Sequence, residues 1–198
     1  MNLPNAITLS RIPMMFIIVW LMFCGWPGAA TLAFMLFIAA AVGDWLDGYL
    51  ARTRKQVSNF GKLMDAMADK IMVMGIVMAL VWRHEIPLVL ALITLCREFL
   101  VTGMRMVAAT KGVVVAADSG GKTKTVTLLI ALGFLLGAPM LLVDGASFFH
   151  WDAATAAGYV NRTGIYIYIA GTVLSVWSGY RYFSRNSKLV FGDDVRST

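Results

Sequence analysis

The sequence predicts an all-α protein that crosses a membrane several times, and three observations carry that reading. Hydrophobic residues make up 59% of the 198-residue chain and charged residues only 14%, against about 25% charged in ordinary soluble domains. Apolar runs recur along the chain, each close to the roughly 20 residues a helix needs to cross a bilayer. Between the runs, positive charge is dense in one connection and sparse in the next. No soluble-domain composition, repeat or low-complexity linker is visible. The chain therefore reads as one membrane domain over 1–184, with a short polar tail over 185–198.

Six spans are expected, at 5–25, 29–53, 60–82, 86–109, 122–143 and 162–184, packed around a polar cavity facing the cytoplasm. The first is the least regular, because Pro4 and Pro13 suggest a short interfacial helix before the true span. Arg11 lies inside it and no small-residue cleavage site follows, so it does not read as a removable leader. The second span ends in a run rich in Asp and Gly, and the third re-enters after a short basic loop. The fourth carries Arg97 and Glu98 in its middle, and the fifth opens with Lys122 and Lys124. The sixth carries no motif.

Lysine and arginine number 17 against 11 acids, a net charge of +6. Arg52, Arg54, Lys55 and Lys62 crowd one connection. Arg105, Lys111, Lys122 and Lys124 crowd another, and Arg181, Arg185, Lys188 and Arg196 the C-terminal end. The alternate connections are nearly bare: 25–28 has no basic residue, 83–85 has Arg83, and 144–162 has Arg162. The positive-inside rule then puts both termini in the cytoplasm. The same basic face suits anionic lipid, whereas no basic and aromatic groove suggests nucleic acid. Cys24 and Cys96 fall inside apolar runs and read as packing residues. His84 and His150 fall in the sparse connections, away from the acidic residues.

Those acids are the sharpest feature. Asp44, Asp47, Asp65 and Asp69 sit within 26 residues of apolar sequence. A carboxylate near a bilayer centre costs roughly 2.5–3.5 kcal/mol, so it persists by pairing, by lining a wet cavity or by binding a cation. The spacings i,i+3 and i,i+4 stack each pair on one face of a helix. Two such helices side by side offer four carboxylates around one point. That is a hard-oxygen site for Mg²⁺ or Mn²⁺, with room for two ions. Neutralisation by Arg52, Lys62 and Lys70 is the plainer alternative, but three bases do not match four acids. Gly43, Gly48 and Gly61 remove side chains where a helix or ligand must come close.

The full pattern is Asp44-x2-Asp47-Gly48-x2-Ala51-Arg52-x8-Gly61-x3-Asp65-x3-Asp69. It resembles the signature of the CDP-alcohol phosphotransferases, integral membrane enzymes that build phospholipids from a CDP-activated donor. All eight specified positions are filled. The resemblance implies that Asp44, Asp47 and Asp65 are metal ligands, with Asp65 bridging two ions. Asp69 would contact the second ion and serve as general base. Gly48 and Arg52 would hold the cytidine diphosphate, Arg52 through a charge-assisted contact to phosphate, with Ser58 a further donor contact. Asn5 and Thr8 resemble a donor-contacting segment, and helix capping explains them equally well. Chemistry points the same way, since displacement at a pyrophosphate must manage charge on attacking and leaving oxygens. No Cys, His or Ser has a partner that would make it a nucleophile, so direct displacement is expected.

The acceptor must be read from residues outside the signature. Arg97 is costly within an apolar helix unless it binds something. Neighbouring Glu98 points about 100° away on a helix, so the two are not expected simply to neutralise each other. Arg97, Arg105, Lys122 and Lys124 together suit a phosphate on a small soluble acceptor; snorkelling to lipid phosphates is the alternative for Lys124 and Arg105. Asn2-Leu3-Pro4-Asn5, Arg97-Glu98-Phe99-Leu100-Val101-Thr102-Gly103 and Gly121-Lys122-Thr123-Lys124-Thr125 resemble the bacterial branch of the family that uses glycerol 3-phosphate. The implied substrates are CDP-diacylglycerol and sn-glycerol 3-phosphate, in a multi-pass protein of the bacterial inner membrane. The family also implies a homodimer. Inositol phosphate, serine or phosphatidylglycerol are alternative acceptors, though serine needs no second phosphate site. A divalent-cation transporter would need no Arg52 at fixed distance from the acids.

Overall fold

The computed structural model describes the backbone of residues 3–54, 59–110, 119–145 and 152–191. Side chains are described for 10–43, 67–68, 70–108, 121, 123–145 and 152–185. Among the described residues there are six α-helices and no strand. They are α1 (Leu3–Phe23), α2 (Ala29–Arg54), α3 (Asn59–Trp82), α4 (Leu88–Thr110), α5 (Ser119–Pro139) and α6 (Ala153–Phe191). A π-helical turn, Met140–Asp144, follows α5.

Two elements differ from expectation. No break separates an interfacial helix from a span in α1, which runs straight through Pro13. Pro4 falls in the first turn, where its missing N–H has no intrahelical partner to lose. Pro13 is exposed, so its ring points away from the packed side. Meanwhile Met15, Ile18 and Leu21 are buried in the core and hold the following turns in place. α6 is longer than its apolar run at both ends. Asp152 caps it: the Thr155 N–H and hydroxyl donate to the Asp152 carboxylate at 3.3 and 2.5 Å. At 39 residues α6 extends about 58 Å, nearly twice a bilayer's hydrocarbon thickness, so its ends project as polar helix.

One end of the bundle is tied together by caps. Pro139 has no N–H to continue the ladder, and the Gly145 N–H instead reaches the Met140 carbonyl in the wider π spacing. Asp144 is thereby presented to the start of α2. Its carboxylate accepts the Gly28 N–H at 2.8 Å, the Thr31 N–H at 2.9 Å and the Thr31 hydroxyl at 2.6 Å. Gly28 adopts φ +89°, which only glycine reaches without cost. α3 closes at the same end: His84 N–H donates to the Val81 carbonyl at 3.0 Å and Glu85 N–H to Leu80 at 3.0 Å. This is a Schellman closure, unusual in having His84 rather than glycine at φ 58°. Arg83 completes the knot by donating to the Met22 carbonyl of α1 at 2.9 Å and pairing with Glu85 at 2.7 Å. The ends of α1, α3 and α5 and the start of α2 thus meet at one face, and the motif-bearing ends of α2 and α3 lie at the other.

α1 packs on α2 and α3, α5 on α6 and α2, and α4 on α6. The core draws Ile18, Phe37, Met72, Leu80, Leu132 and Tyr168 from five helices. Side chains at Gly164 and Gly171 would sit 3.0 Å from Leu135 and Leu128, so these glycines set how close α6 comes to α5. The outside is also apolar: Trp82 is 78% exposed, Val89 66%, Leu100 66% and Trp177 61%. So much apolar surface around a bundle marks contact with lipid or protein rather than water. Among the described residues one segment, Thr123–Asp144, is long and apolar enough to cross a membrane, and Ser10–Phe23, Ala29–Gly43 and Lys70–Trp82 are shorter apolar stretches.

Candidate functional site

The last half of α2 carries Asp44, Asp47, Gly48 and Arg52, and the first half of α3 carries Gly61, Asp65 and Asp69. The helical backbone keeps Asp44 within one turn of Asp47, and Asp65 within about one turn of Asp69. Gly43 faces open space, with nothing within 4 Å of where a Cβ would stand. The side chains of these four acids and of Arg52, Asn5, Thr8 and Lys122 lie outside the described residues, as does Ser58 entirely. Asn5 and Thr8 lie on α1, and Lys122 lies on α5. Among the described residues no three His, Cys, Asp or Glu side chains gather to hold a metal.

The cationic side of the site is described in detail. Arg97 projects from α4 into the seam with α6. Its Nε donates to the Ser175 carbonyl at 2.9 Å and its Nη2 to the Ser178 hydroxyl at 2.8 Å. Its Nη1 reaches Glu98 Oε1 at 3.2 Å. These bonds occupy three of the five guanidinium N–H groups, leaving two for a ligand. Gly179 makes the fit possible, since a Cβ there would stand 3.1 Å from Arg97 Cγ and 3.2 Å from Nε. Thr94, one turn earlier on α4, extends the seam through the Thr172 hydroxyl at 3.2 Å and Tyr168 at 3.5 Å. One turn is the spacing that brings small polar residues of α6 onto α4 repeatedly.

One expectation about these cations is corrected and one alternative falls. Arg97 and Glu98 do meet: both side chains bend toward one point, and the 100° between their Cα–Cβ directions is spanned by their length. Lys124 does not reach out to lipid. It is only 5% exposed and its ammonium pairs with the same Glu98 Oε1. Arg105 is separate in role, exposed and stacked 5.4 Å above the ring of Tyr182. A chamber of about 40 Å³ lies beside the pair, lined by Lys70, Glu98, Lys124 and Thr125. That volume holds a water or two. Lys70 immediately follows Asp69 in α3, so the cationic cluster adjoins the acidic motif.

Sequence reasoning missed Ser175, Ser178 and Gly179, because α6 carries no charged motif at that level. A signal was present: Gly164, Tyr168, Gly171, Thr172, Ser175, Ser178 and Gly179 recur at three- and four-residue spacing along one face. Glu98 was noticed without being assigned a role. Arg11, buried at 3% exposure, was used only as a landmark. Two larger grooves on the outer surface are apolar. One, about 510 Å³ between α4 and α6, is lined by Leu92, Leu100, Val176 and Phe183. The other, about 530 Å³, is lined by Phe34, Ile38, Ile130 and Leu141. They suit lipid tails rather than chemistry.

An all-helical bundle with an apolar exterior, an acidic motif on two helices and a buried cationic cluster beside it defines a membrane-embedded enzyme of charged phosphate substrates. The family model for CDP-alcohol phosphatidyltransferase matches residues 1–177, and the chain belongs to that family. A protein of Bacillus subtilis named CDP-diacylglycerol–glycerol-3-phosphate 3-phosphatidyltransferase is 38% identical over 199 residues, covering 93% of this chain and 95% of its own. Proteins of the same name from Rickettsia bellii and Salmonella choleraesuis are 32% and 31% identical. They cover 94% and 92% of this chain, and 96% and 93% of their own length.

Proposed function

We propose that this protein transfers the phosphatidyl group of CDP-diacylglycerol to sn-glycerol 3-phosphate, giving phosphatidylglycerophosphate and CMP. The observation that carries the choice of acceptor is the buried Arg97–Glu98–Lys124 cluster beside Lys70. A net positive cluster held out of water favours a dianionic phosphate, and serine offers none to bind. The relatives' shared name supports the same substrates. In the reaction the acceptor hydroxyl oxygen attacks the phosphorus on the lipid side of the pyrophosphate. The bond from that phosphorus to the bridging oxygen breaks, and CMP leaves with the electron pair. Asp69 accepts the hydroxyl proton. Arg52, with Gly48 and Ser58, holds the cytidine diphosphate, and Asn5 and Thr8 border the donor. Arg97, Lys122 and Lys124 hold the acceptor phosphate, with Arg105 nearer the headgroup surface.

Asp44, Asp47, Asp65 and Asp69 would hold Mg²⁺ or Mn²⁺. Four carboxylates and no sulfur or imidazole form a hard donor set that fits those cations. When bound, two such ions stabilise charge on the entering and leaving oxygens. The helices cross the inner membrane six times with the site and both termini facing the cytoplasm, where the soluble acceptor is found and CMP is released. As in its family, the enzyme works as a homodimer. The test is a transfer assay with purified protein, CDP-diacylglycerol and a panel of alcohols, each with and without divalent metal. Glycerol 3-phosphate should be strongly preferred and chelation should stop turnover. Preference for another alcohol, or metal-independent turnover, overturns the reading.

A further inference from the structure

Glu98 is the acid of the cationic cluster and cannot itself bind a phosphate, yet it pairs with two of the cations that can, Arg97 and Lys124. We infer that Glu98 is a positioning residue that fixes the separation of Arg97 and Lys124, and so sets affinity for the acceptor phosphate. The inference rests on the proposal that these two residues form the acceptor site. Two helices meet at one atom: Glu98 Oε1 of α4 accepts Arg97 Nη1 at 3.2 Å and the Lys124 ammonium of α5, while Arg97 is separately anchored by α6. Side-chain exposures of 11% for Arg97, 15% for Glu98 and 6% for Lys124 place the group where water screens little. Two cations this close repel each other in such surroundings. A carboxylate between them removes that repulsion and holds them as a pair. Removing that carboxylate leaves the two cations without the contact that sets their spacing, and the phosphate then meets donors that are out of position.

Arg97 has two N–H groups left after its bonds to Ser175, Ser178 and Glu98, so it can keep Glu98 and still offer donors to one phosphate. Glu98 also lines the small chamber shared with Lys70, so its carboxylate lies on the side of the cluster toward α3. A positioning role does not require Glu98 to touch either substrate. It predicts instead that shortening or neutralising this side chain acts on the acceptor and spares the donor.

Kinetics of the full-length enzyme in detergent micelles test this, varying glycerol 3-phosphate at saturating CDP-diacylglycerol and the reverse. Glu98→Gln should raise the KM for glycerol 3-phosphate by about 10-fold or more, the loss of one charge-assisted hydrogen bond, and change the donor KM by less than about twofold. At saturating acceptor, kcat should largely recover. Glu98→Asp keeps the charge but draws it back by one methylene, and should fall between wild type and Glu98→Gln. If Glu98→Gln does not fold, Glu98→Asp carries the test: a raised acceptor KM supports positioning, and an unchanged one overturns it. Lys124→Gln and Arg97→Gln separate the two readings. If they raise the acceptor KM while the Glu98 variants do not, the acceptor site stands and the positioning role falls. If none of the four raises it, the acceptor site itself is misplaced. Equal losses for donor and acceptor in Glu98→Asp mark a purely structural residue and also overturn the inference.

Discussion

Asp69 and Lys70 stand next to each other on α3, one in the acidic motif and one lining the cationic chamber. On the proposed reading, that adjacency brings Asp69 to an acceptor hydroxyl whose phosphate would be held by Arg97 and Lys124. Asp69→Asn is expected to abolish transfer yet retain donor binding better than Asp44→Asn or Asp65→Asn. The amide preserves shape but takes no proton, whereas the other two would remove ligands of the proposed metal ions. CMP release together with CDP-diacylglycerol binding distinguishes these outcomes, and near-normal turnover in Asp69→Asn would dismiss it as the base. The acids stand out in the sequence because charge in apolar surroundings has few explanations, though their side chains lie outside the described residues. The partners of Arg97 were not, because Ser175, Ser178 and Gly179 are small, neutral and distant in the chain.

At the level of elements, the seam between α4 and α6 decides where Arg97 sits. Gly179→Ala would place a methyl 3.1 Å from its Cγ, so the guanidinium must shift by a few tenths of an ångström. A several-fold rise in acceptor KM is expected, with the donor KM steady. Unchanged kinetics would show that α6 does not hold the arginine in its working position. The α3–α4 turn offers a test of stability alone. A non-glycine residue in the left-handed region costs roughly 1–2 kcal/mol, so His84→Gly should stabilise the fold by about 0.5–1 kcal/mol once glycine's entropy is counted. Thermal unfolding in detergent measures this, and a lower midpoint would contradict it. Asp152 behaves predictably with pH: hydrogen bonds from Thr155 hold its carboxyl below the usual range. Its capping is present above ordinary carboxylate pKa values and is lost as pH falls through the lower folded value. Helix positions were readable from apolar runs within a few residues for α2 to α5. The ends of α6 and the continuity of α1 were not, because polar helix carries no apolar signal and an outward-facing proline is held by its neighbours' packing.

For the whole molecule, the caps gather Met22, Gly28, Arg83 and Asp144 at one end, the end poor in positive charge. Cysteines introduced at positions 58 and 147, in a background lacking Cys24 and Cys96, should label from opposite sides of the membrane. Labelling of both from one side would refute the six-span topology. The all-helical class and the reaction class were legible before any coordinates, since they follow from composition and from a motif with fixed spacing. The pairing of Glu98 with two cations was not, because it joins residues on two helices and depends on side-chain length rather than helix angle.

The clamp of Asp144 on the first turn of α2 has a consequence for depth. By the helix rise of 1.5 Å per residue, Asp44 stands about 24 Å from Gly28 along the axis, so the far-side clamp acts as a fixed stop for the acidic motif. In the proposed six-span topology this stop would keep α2 from sliding to follow a thinner or thicker bilayer, so the lipid would adapt instead, at fractions of a kcal/mol per ångström of mismatch. Asp144→Ala, which removes a cap of about 1–2 kcal/mol, should make turnover depend on lipid length. Vesicles with acyl chains shorter or longer than optimal would depress its activity several-fold more than that of wild type. An identical dependence in both proteins would show that the stop does not set the height of the motif.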